Sequence, residues 1–274
     1  MPTEPLRLLI LGAHPDDAEF YAGGLVTIYR KLGHAVRMIS LTDGSAGHHV
    51  HGRRELADIR RREAAASAKV TGAVYDVWDN PDGALQPTLE LRERVIGEIR
   101  RFQPDLVLTH RSNDYHPDHR AVGQVVQDAS FLVRVPLVVP DVPALKRDPV
   151  IAFMTDLFTK PNPMTANVIL DVEEQIDSIL AMLASHHSQV FEWLPWLDGA
   201  LDQVPSDHSQ RMACLRQWFR KECRPRVERY RNALVDAYGA EHAQRVEFAE
   251  IFEISEYGSP LDAKARERLF GFVA

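Results

Sequence analysis

The sequence predicts an α/β fold: a Rossmann-like, mostly parallel sheet with helices on both faces and an irregular C-terminal part. Three observations point there. Short apolar runs alternate with longer amphipathic or Ala-rich stretches through the first half of the chain. The first run, Leu8-Leu9-Ile10-Leu11-Gly12, is continuously apolar, as in a strand buried on both faces. Polar residues gather directly after each such run, where the sites of open parallel sheets form.

Taken in order, residues 8–12 are the first strand. A helix over 19–32 follows, ended by Gly33. Residues 35–41 are the second strand. The stretch 58–70 is rich in strong helix formers and stops at Gly72. Residues 74–78 are the third strand. The stretch 89–102 places Leu91, Val95 and Ile99 at helical spacing. Pro104 precedes a fourth strand over 106–109, and 122–133 returns to helix. Alternation of this kind implies right-handed crossovers. A connecting loop over 136–149 holds four prolines. Beyond it come strands over 150–154 and 168–171 and a helix over 172–184. A helix over 206–237 is expected to break at Pro225, and 246–254 is read as a last edge strand. One domain over 1–274 is expected, with a core over 1–135 and an extension over 136–274.

Composition narrows the function. A net charge of −7 disfavours nucleic acid or an anionic membrane as a general partner. No apolar run approaches the roughly 20 residues needed to span a bilayer. No basic, then apolar, leader opens the chain. Two cysteines, Cys214 and Cys223, lack CxxC spacing and suit a reducing, cytoplasmic location.

Two stretches carry the chemistry. His14, Asp16 and Asp17 follow the first strand, and His116, Asp118 and His119 follow the fourth. His14 and Asp17 are three apart at a strand-to-helix turn, so both can face one point, with His119 as a third donor. Two His and one carboxylate with an open position describe a catalytic zinc site. Water bound there has its pKa lowered from about 15.7 to about 7. The same donors suit Fe²⁺. Asp16 is a spare carboxylate placed to take a proton from that water. His116 is a spare imidazole suited to an oxyanion or a leaving amine, with Asp118 expected to orient it. A lone His or Asp after a strand is usually a turn or cap residue. For Asp16 and Asp118, capping a helix start is the plain alternative.

The motifs AHPDDAEF at 13–20 and HPDH at 116–119 resemble those of the zinc-dependent de-N-acetylases of the PIG-L/LmbE family. That family includes the glucosaminyl-phosphatidylinositol, mycothiol-pathway and bacillithiol-pathway deacetylases. The resemblance implies His14, Asp17 and His119 as zinc ligands and Asp16 as general base. It implies His116, with Asp118 behind it, as general acid or oxyanion partner. It also implies substrate-binding roles for Arg60 in the Arg-x-x-Glu helix, Asp82 in Pro81-Asp82-Gly83, and His186 in His186-His187-Ser188-Gln189. Ala18 stands where many members carry a further acidic residue. Asp114 stands at the position of the mycothiol branch's tyrosine, and Tyr115 lies one residue later.

Other features have blander readings. Gly23-Gly24 lacks the rest of a phosphate-binding pattern. His48, His49 and His51 are expected at the pocket rim rather than on a metal. The aromatic run from Phe191 to Trp196 suits stacking on a sugar, capping the pocket or a contact between subunits, with core packing an equal alternative. The arginines between Arg216 and Arg231 are expected on a solvated helical face. The expected activity is hydrolysis of an N-acetyl or other N-acyl group on a small-molecule amino-sugar conjugate. A metal-dependent hydrolase of an ester or non-sugar amide, an iron oxygenase, and a non-catalytic binding protein are the alternatives.

Overall fold

A computed structural model describes residues 4–272. One sheet contains seven strands: β1 (Arg7–Gly12), β2 (Ala35–Thr42), β3 (Val74–Asn80), β4 (Leu106–Thr109), β5 (Val150–Met154), β6 (Val168–Asp171) and β7 (Ala249–Ile254). Their order is β3-β2-β1-β4-β5-β7-β6. β1 sits between parallel neighbours, with Leu8 opposite Val36 of β2 and Leu106 of β4. β5 continues the parallel set, and β7 runs antiparallel to both β5 and β6. The α/β class expected from the sequence is the one observed.

Side-chain alternation along β1 divides the core. Leu8 and Ile10 point to one face and pack with Leu25 and Tyr29 of α1 (Asp17–Lys31) and with Ile179 and Met182. Leu9 and Leu11 point to the other face, against Val95 and Ile99 and against Val122 and Val126. These side chains belong to α3 (Leu89–Phe102), α4 (Pro117–Leu132) and α5 (Ile176–Ser185); α2 (Arg53–Thr71) lies between β2 and β3 in the chain. The strand order reverses between β1 and β4, which opens a crevice at their carboxyl ends.

Four local expectations are corrected. The strand predicted over 246–254 is not at the edge: β7 inserts between β5 and β6. Strand neighbours are chosen by tertiary pairing, which local patterning does not encode. α4 starts at Pro117, not at 122, because His116 caps it through Nδ1, which accepts from Asp118 N at 3.2 Å. The helix α7 (His208–Arg229) runs through Pro225 instead of breaking there, and buried Cys223, Arg226 and Val227 hold that turn to the body. Residues expected in a loop form a π-helical turn, Ser188–Trp193, followed by the short helix α6 (Leu194–Leu197).

α1 is itself broken at Ala22, where φ is −146° and ψ 16°. Glu250 of β7 caps the second half, accepting from Gly24 N at 2.6 Å and Leu25 N at 2.9 Å. A Cβ on Gly24 would lie 2.4 Å from Val172 Cγ1, so the Gly23-Gly24 pair serves close packing and not a phosphate.

Candidate active site

The crevice is built from the turn after β1 upward. Asp17 opens α1 and folds its carboxylate back over the turn. Its Oδ2 accepts from Ala13 N and His14 N, each at 2.8 Å, and lies 3.0 Å from His110 Nε2. The fold-back requires Gly12, where a Cβ would come 2.9 Å from Asp17 Cβ. Oδ1 is thereby the free oxygen, and it faces His119 Nε2 at 3.5 Å. Burial opposes ionisation of this carboxyl, yet His119 and His110 hold it well below the usual carboxylate range.

The two imidazoles turn one nitrogen each toward the same point. His14 Nδ1 lies 3.2 Å from His119 Nε2 and 3.8 Å from Asp17 Oδ2. Their far nitrogens have carboxylate partners. His14 Nε2 is 3.3 Å from both Asp118 Oδ2 and Asp82 Oδ1. His119 Nδ1 lies 3.1 Å from Asp114 Oδ1, at ion-pair range though off the line of a good hydrogen bond. Burial opposes a charged His14 ring, but the bonds to Asp118 and Asp82 and the field of Asp17 push it up to about 10. A tetrahedral ion with bonds of 2.0–2.1 Å has donor-to-donor edges of about 3.3–3.4 Å. The His14–His119 and His119–Asp17 spacings, 3.2 and 3.5 Å, are near that size, while the 3.8 Å from His14 Nδ1 runs to the engaged oxygen of Asp17. Carboxylates behind the rings leave the facing nitrogens as lone-pair donors. The donor set fits a divalent cation.

Two further groups overlap this one. His14, His116 and His119 bring donor atoms within 4.8 Å of one another, as do Asp17, His110 and His119. His110 was not singled out from the sequence as a site residue. It stacks on His119, with ring centroids 3.9 Å apart, and bonds Asp17. Helix α4 can press against this corner because position 123 is glycine; a Cβ there would meet His110 O at 2.7 Å.

Asp16 sits in a backbone conformation rarely taken by a non-glycine residue, with φ 138°. Tyr75 Oη accepts from its backbone N–H at 3.1 Å, and the Arg60 guanidinium holds its Oδ2 at 3.1 Å. Burial pushes the Asp16 carboxyl up to about 6, against the opposing pull of Arg60 and His186.

Three expected roles change. Arg60 is 1% exposed and borders the cavity; its Nη2 bonds the Pro15 carbonyl and Asp16, which gives it a positioning role on Asp16, while Nε and Nη1 are buried without a hydrogen-bond partner. His186 is wholly buried, with Nε2 2.8 Å from Glu19 Oε1, and does not line the cavity. Glu19, which follows Ala18, thus anchors that histidine and Ser67. Asp118 does not orient His116 through its side chain. Its carboxylate takes His14 Nε2, Gly83 N and Leu85 N, while its backbone N–H donates to His116. The cap consumes Nδ1 of His116, so the proton of the neutral ring sits on Nε2. Burial, with His14 and His119 nearby, lowers its pKa. Asp82 stays at the cavity wall, accepting from Ala46 N at 2.9 Å.

The cavity over these groups measures about 650 Å³, within the range for small-molecule sites. His14, Asp16, Asp17, Asp82, His116 and His119 form its polar end. Its other walls include Phe20, Tyr21, Trp193, Leu194, Leu197 and Trp218. The rim is a docked pair of loops. His48 Nε2 meets Glu192 at 2.9 Å, Gln189 Nε2 donates to Gly47 O at 2.9 Å, and His49 stacks on Trp196 with ring centroids 5.0 Å apart. The rim histidines and the aromatic run therefore form one wall together. Among the described residues, no helix is long and apolar enough to cross a membrane.

Comparison with known proteins agrees with the motifs. Residues 9–130 match the family model described as PIG-L: GlcNAc-PI de-N-acetylase. Over 161 residues the chain is 28% identical to 4-oxalmesaconate hydratase of Pseudomonas putida, covering 56% of this chain and 62% of that protein. Over 252 residues it is 25% identical to 1D-myo-inositol 2-acetamido-2-deoxy-alpha-D-glucopyranoside deacetylase 1 of Saccharopolyspora erythraea, covering 72% and 82%. Its fold resembles that of the N,N'-diacetylchitobiose deacetylase from Pyrococcus horikoshii, with a TM-score of 0.68, 21% identity, and coverage of 92% and 84%.

Proposed function

We propose that this protein, whose residues 9–130 match the PIG-L family model, is a metal-dependent hydrolase removing an N-acetyl or related N-acyl group from an amino-sugar conjugate. The observation that supports the reading is the mutual approach of His14, His119 and Asp17: His14 Nδ1 lies 3.2 Å from His119 Nε2, which lies 3.5 Å from Asp17 Oδ1. These three residues hold the cation, with zinc first and Fe²⁺ second. When bound, it supplies electrophilic polarisation of the amide carbonyl and lowers the pKa of adjacent water to about 7.

The protein's own groups do the rest. Asp16 is the base that takes a proton from the attacking water, and a carboxyl near 6 is ionised at neutral pH while still able to accept. Arg60 keeps that carboxylate in place. His116, holding its proton on Nε2, donates a hydrogen bond to the oxygen that becomes negative as water adds to the carbonyl carbon. The departing amine takes its proton from Asp16 or His116. Asp118 and Asp114 fix the tautomers of His14 and His119. Asp82 borders the space for a substrate hydroxyl. The two free thiols accord with a cytoplasmic enzyme.

The test is acetate release by the zinc-loaded full chain from a panel of N-acetylated amino-sugar glycosides. Stoichiometric acetate and a new primary amine are expected. The similarity to a hydratase favours a second reading, addition of water to an unsaturated carboxylate by the same site. Loss of conjugated ultraviolet absorbance without acetate release would establish that reading in place of the first.

A further inference from the structure

Arg226 is the anomaly among the arginines of α7. The others have protein partners near the surface: Arg216 pairs with Asp177, Arg220 with Glu247 and Arg224 with Glu228, Arg211 bonds His187 and the Ser206 carbonyl, and Arg229 bonds the Leu157 carbonyl. Arg226 is only 9% exposed and lines the cavity. Its guanidinium lies over the rings of Phe20 and Tyr21, at 4.4 and 4.9 Å from their centroids. Among the described residues it has no hydrogen-bonded acceptor and no carboxylate within ion-pair range. Glu222, one turn back on α7, borders the same cavity without pairing with it. The buried carboxylate of Glu250 has both oxygens engaged by the Gly24 and Leu25 amides.

The guanidinium nitrogens of Arg226 have no protein acceptor and are not sealed off, so a ligand in the cavity can complete them. Two stacked rings satisfy the face of the fork and leave its N–H edges open. Its place is fixed relative to the chemistry. Tyr21 packs edge-on against His110 with ring centroids 5.7 Å apart, and His110 bonds Asp17. The guanidinium lies one ring further out from the cation-binding end. Arg60, the other arginine bordering the cavity, gives Nη2 to Asp16 and the Pro15 carbonyl, and its remaining nitrogens are sealed in the protein.

We infer that Arg226 binds a carboxylate carried by the substrate at the end remote from the scissile amide. The inference rests on the hydrolase reading and narrows its substrate to an N-acyl amino-sugar conjugate with an acidic aglycone. One guanidinium, with Glu222 on the same wall, suits a single negative charge better than a phosphate dianion. Phe20, Leu194, Leu197 and Trp218 also line the cavity and suit a body with little charge of its own.

The experiment uses the zinc-loaded full chain and matched probes: carboxyalkyl glycosides of N-acetylglucosamine with one to four methylenes, their carboxamides and their phosphate counterparts. At least one carboxylate should exceed its carboxamide in kcat/KM by roughly 10- to 100-fold, the range expected for charge-assisted hydrogen bonds. Arg226→Met should erase that preference while changing carboxamide turnover little, and Arg226→Lys should restore part of it. Equal turnover of the pair by the unmodified protein, or an equal loss on both probes in Arg226→Met, would overturn the assignment. A preference for phosphate would overturn the choice of carboxylate. Calorimetric binding of the same probes separates this inference from the function it rests on. If no probe releases acetate, the hydrolase reading fails. Selective carboxylate binding lost in Arg226→Met still supports the anion site, and indifference to the charge refutes it.

Discussion

Two regions of this molecule gather two histidines around a carboxylate, and their chemistry differs. In the crevice, His14 and His119 turn their far nitrogens to Asp118, Asp82 and Asp114, so the nitrogens that face each other have only one another and Asp17 as neighbours. At the rim, His48, His51 and Glu192 also bring their donor atoms within 4.8 Å. There His48 Nδ1 accepts from Val50 N and His51 N, at 3.1 and 3.2 Å. The proton of that ring must sit on Nε2, which points at Glu192. A protonated nitrogen is no ligand. The donor set of the first cluster fits a cation and that of the second fits a latch between loops, and the partner of the far nitrogen makes the difference.

The contrast can be broken most severely at the ligands. His119→Ala should lose bound zinc and all measurable turnover, whereas His48→Ala should keep one zinc per chain by elemental analysis. Zinc lost from His48→Ala, or retained in His119→Ala, would reverse the two assignments. Next in size is Asp16→Asn, expected to hold zinc normally while kcat falls about 10²- to 10⁴-fold. The same carboxyl should set the acid limb of kcat/KM. The base works only when ionised, so activity should decline as pH drops through about 6; a limb well below this value, or one unchanged in Asp16→Asn, counts against the assignment. Smaller again is Asp114→Asn, which should weaken zinc affinity by about 10- to 100-fold without abolishing binding. Competition with a chromogenic chelator reads this directly. The smallest effect belongs to the latch. Glu192→Gln should leave zinc and kcat nearly unchanged and raise KM a few-fold, as the wall over the cavity loosens.

What the sequence disclosed follows the same division. β1 to β4 were legible because buried parallel strands read as uninterrupted apolar runs, and the meeting of His14, Asp17 and His119 in one crevice because all three lie beyond the carboxyl ends of β1 and β4. The partners of the far nitrogens were not legible. Asp114 looked like any turn residue, and Asp118 looked like the orienter of His116 because they are neighbours in sequence. Tertiary approach across β1 and β4 gave it His14 instead. Arg226 was indistinguishable from the surface arginines of its own helix, since only packing against Phe20 and Tyr21 sets it apart. Likewise Arg60 and His186 carried the right motif signals, but burial gave them protein partners. The interior place of β7 had no local signature.

The Glu250 cap on the interrupted first helix has a practical consequence. The segment that opens with Asp17 is held in part by a strand more than two hundred residues downstream. A fragment cut at residue 130 would strip two amide hydrogens of their acceptor and bare the β4 edge to solvent. The motif-bearing stretch is thus a poor choice for separate expression, or for transplanting its histidine- and aspartate-bearing turns to another scaffold, unless the distal strand travels with it.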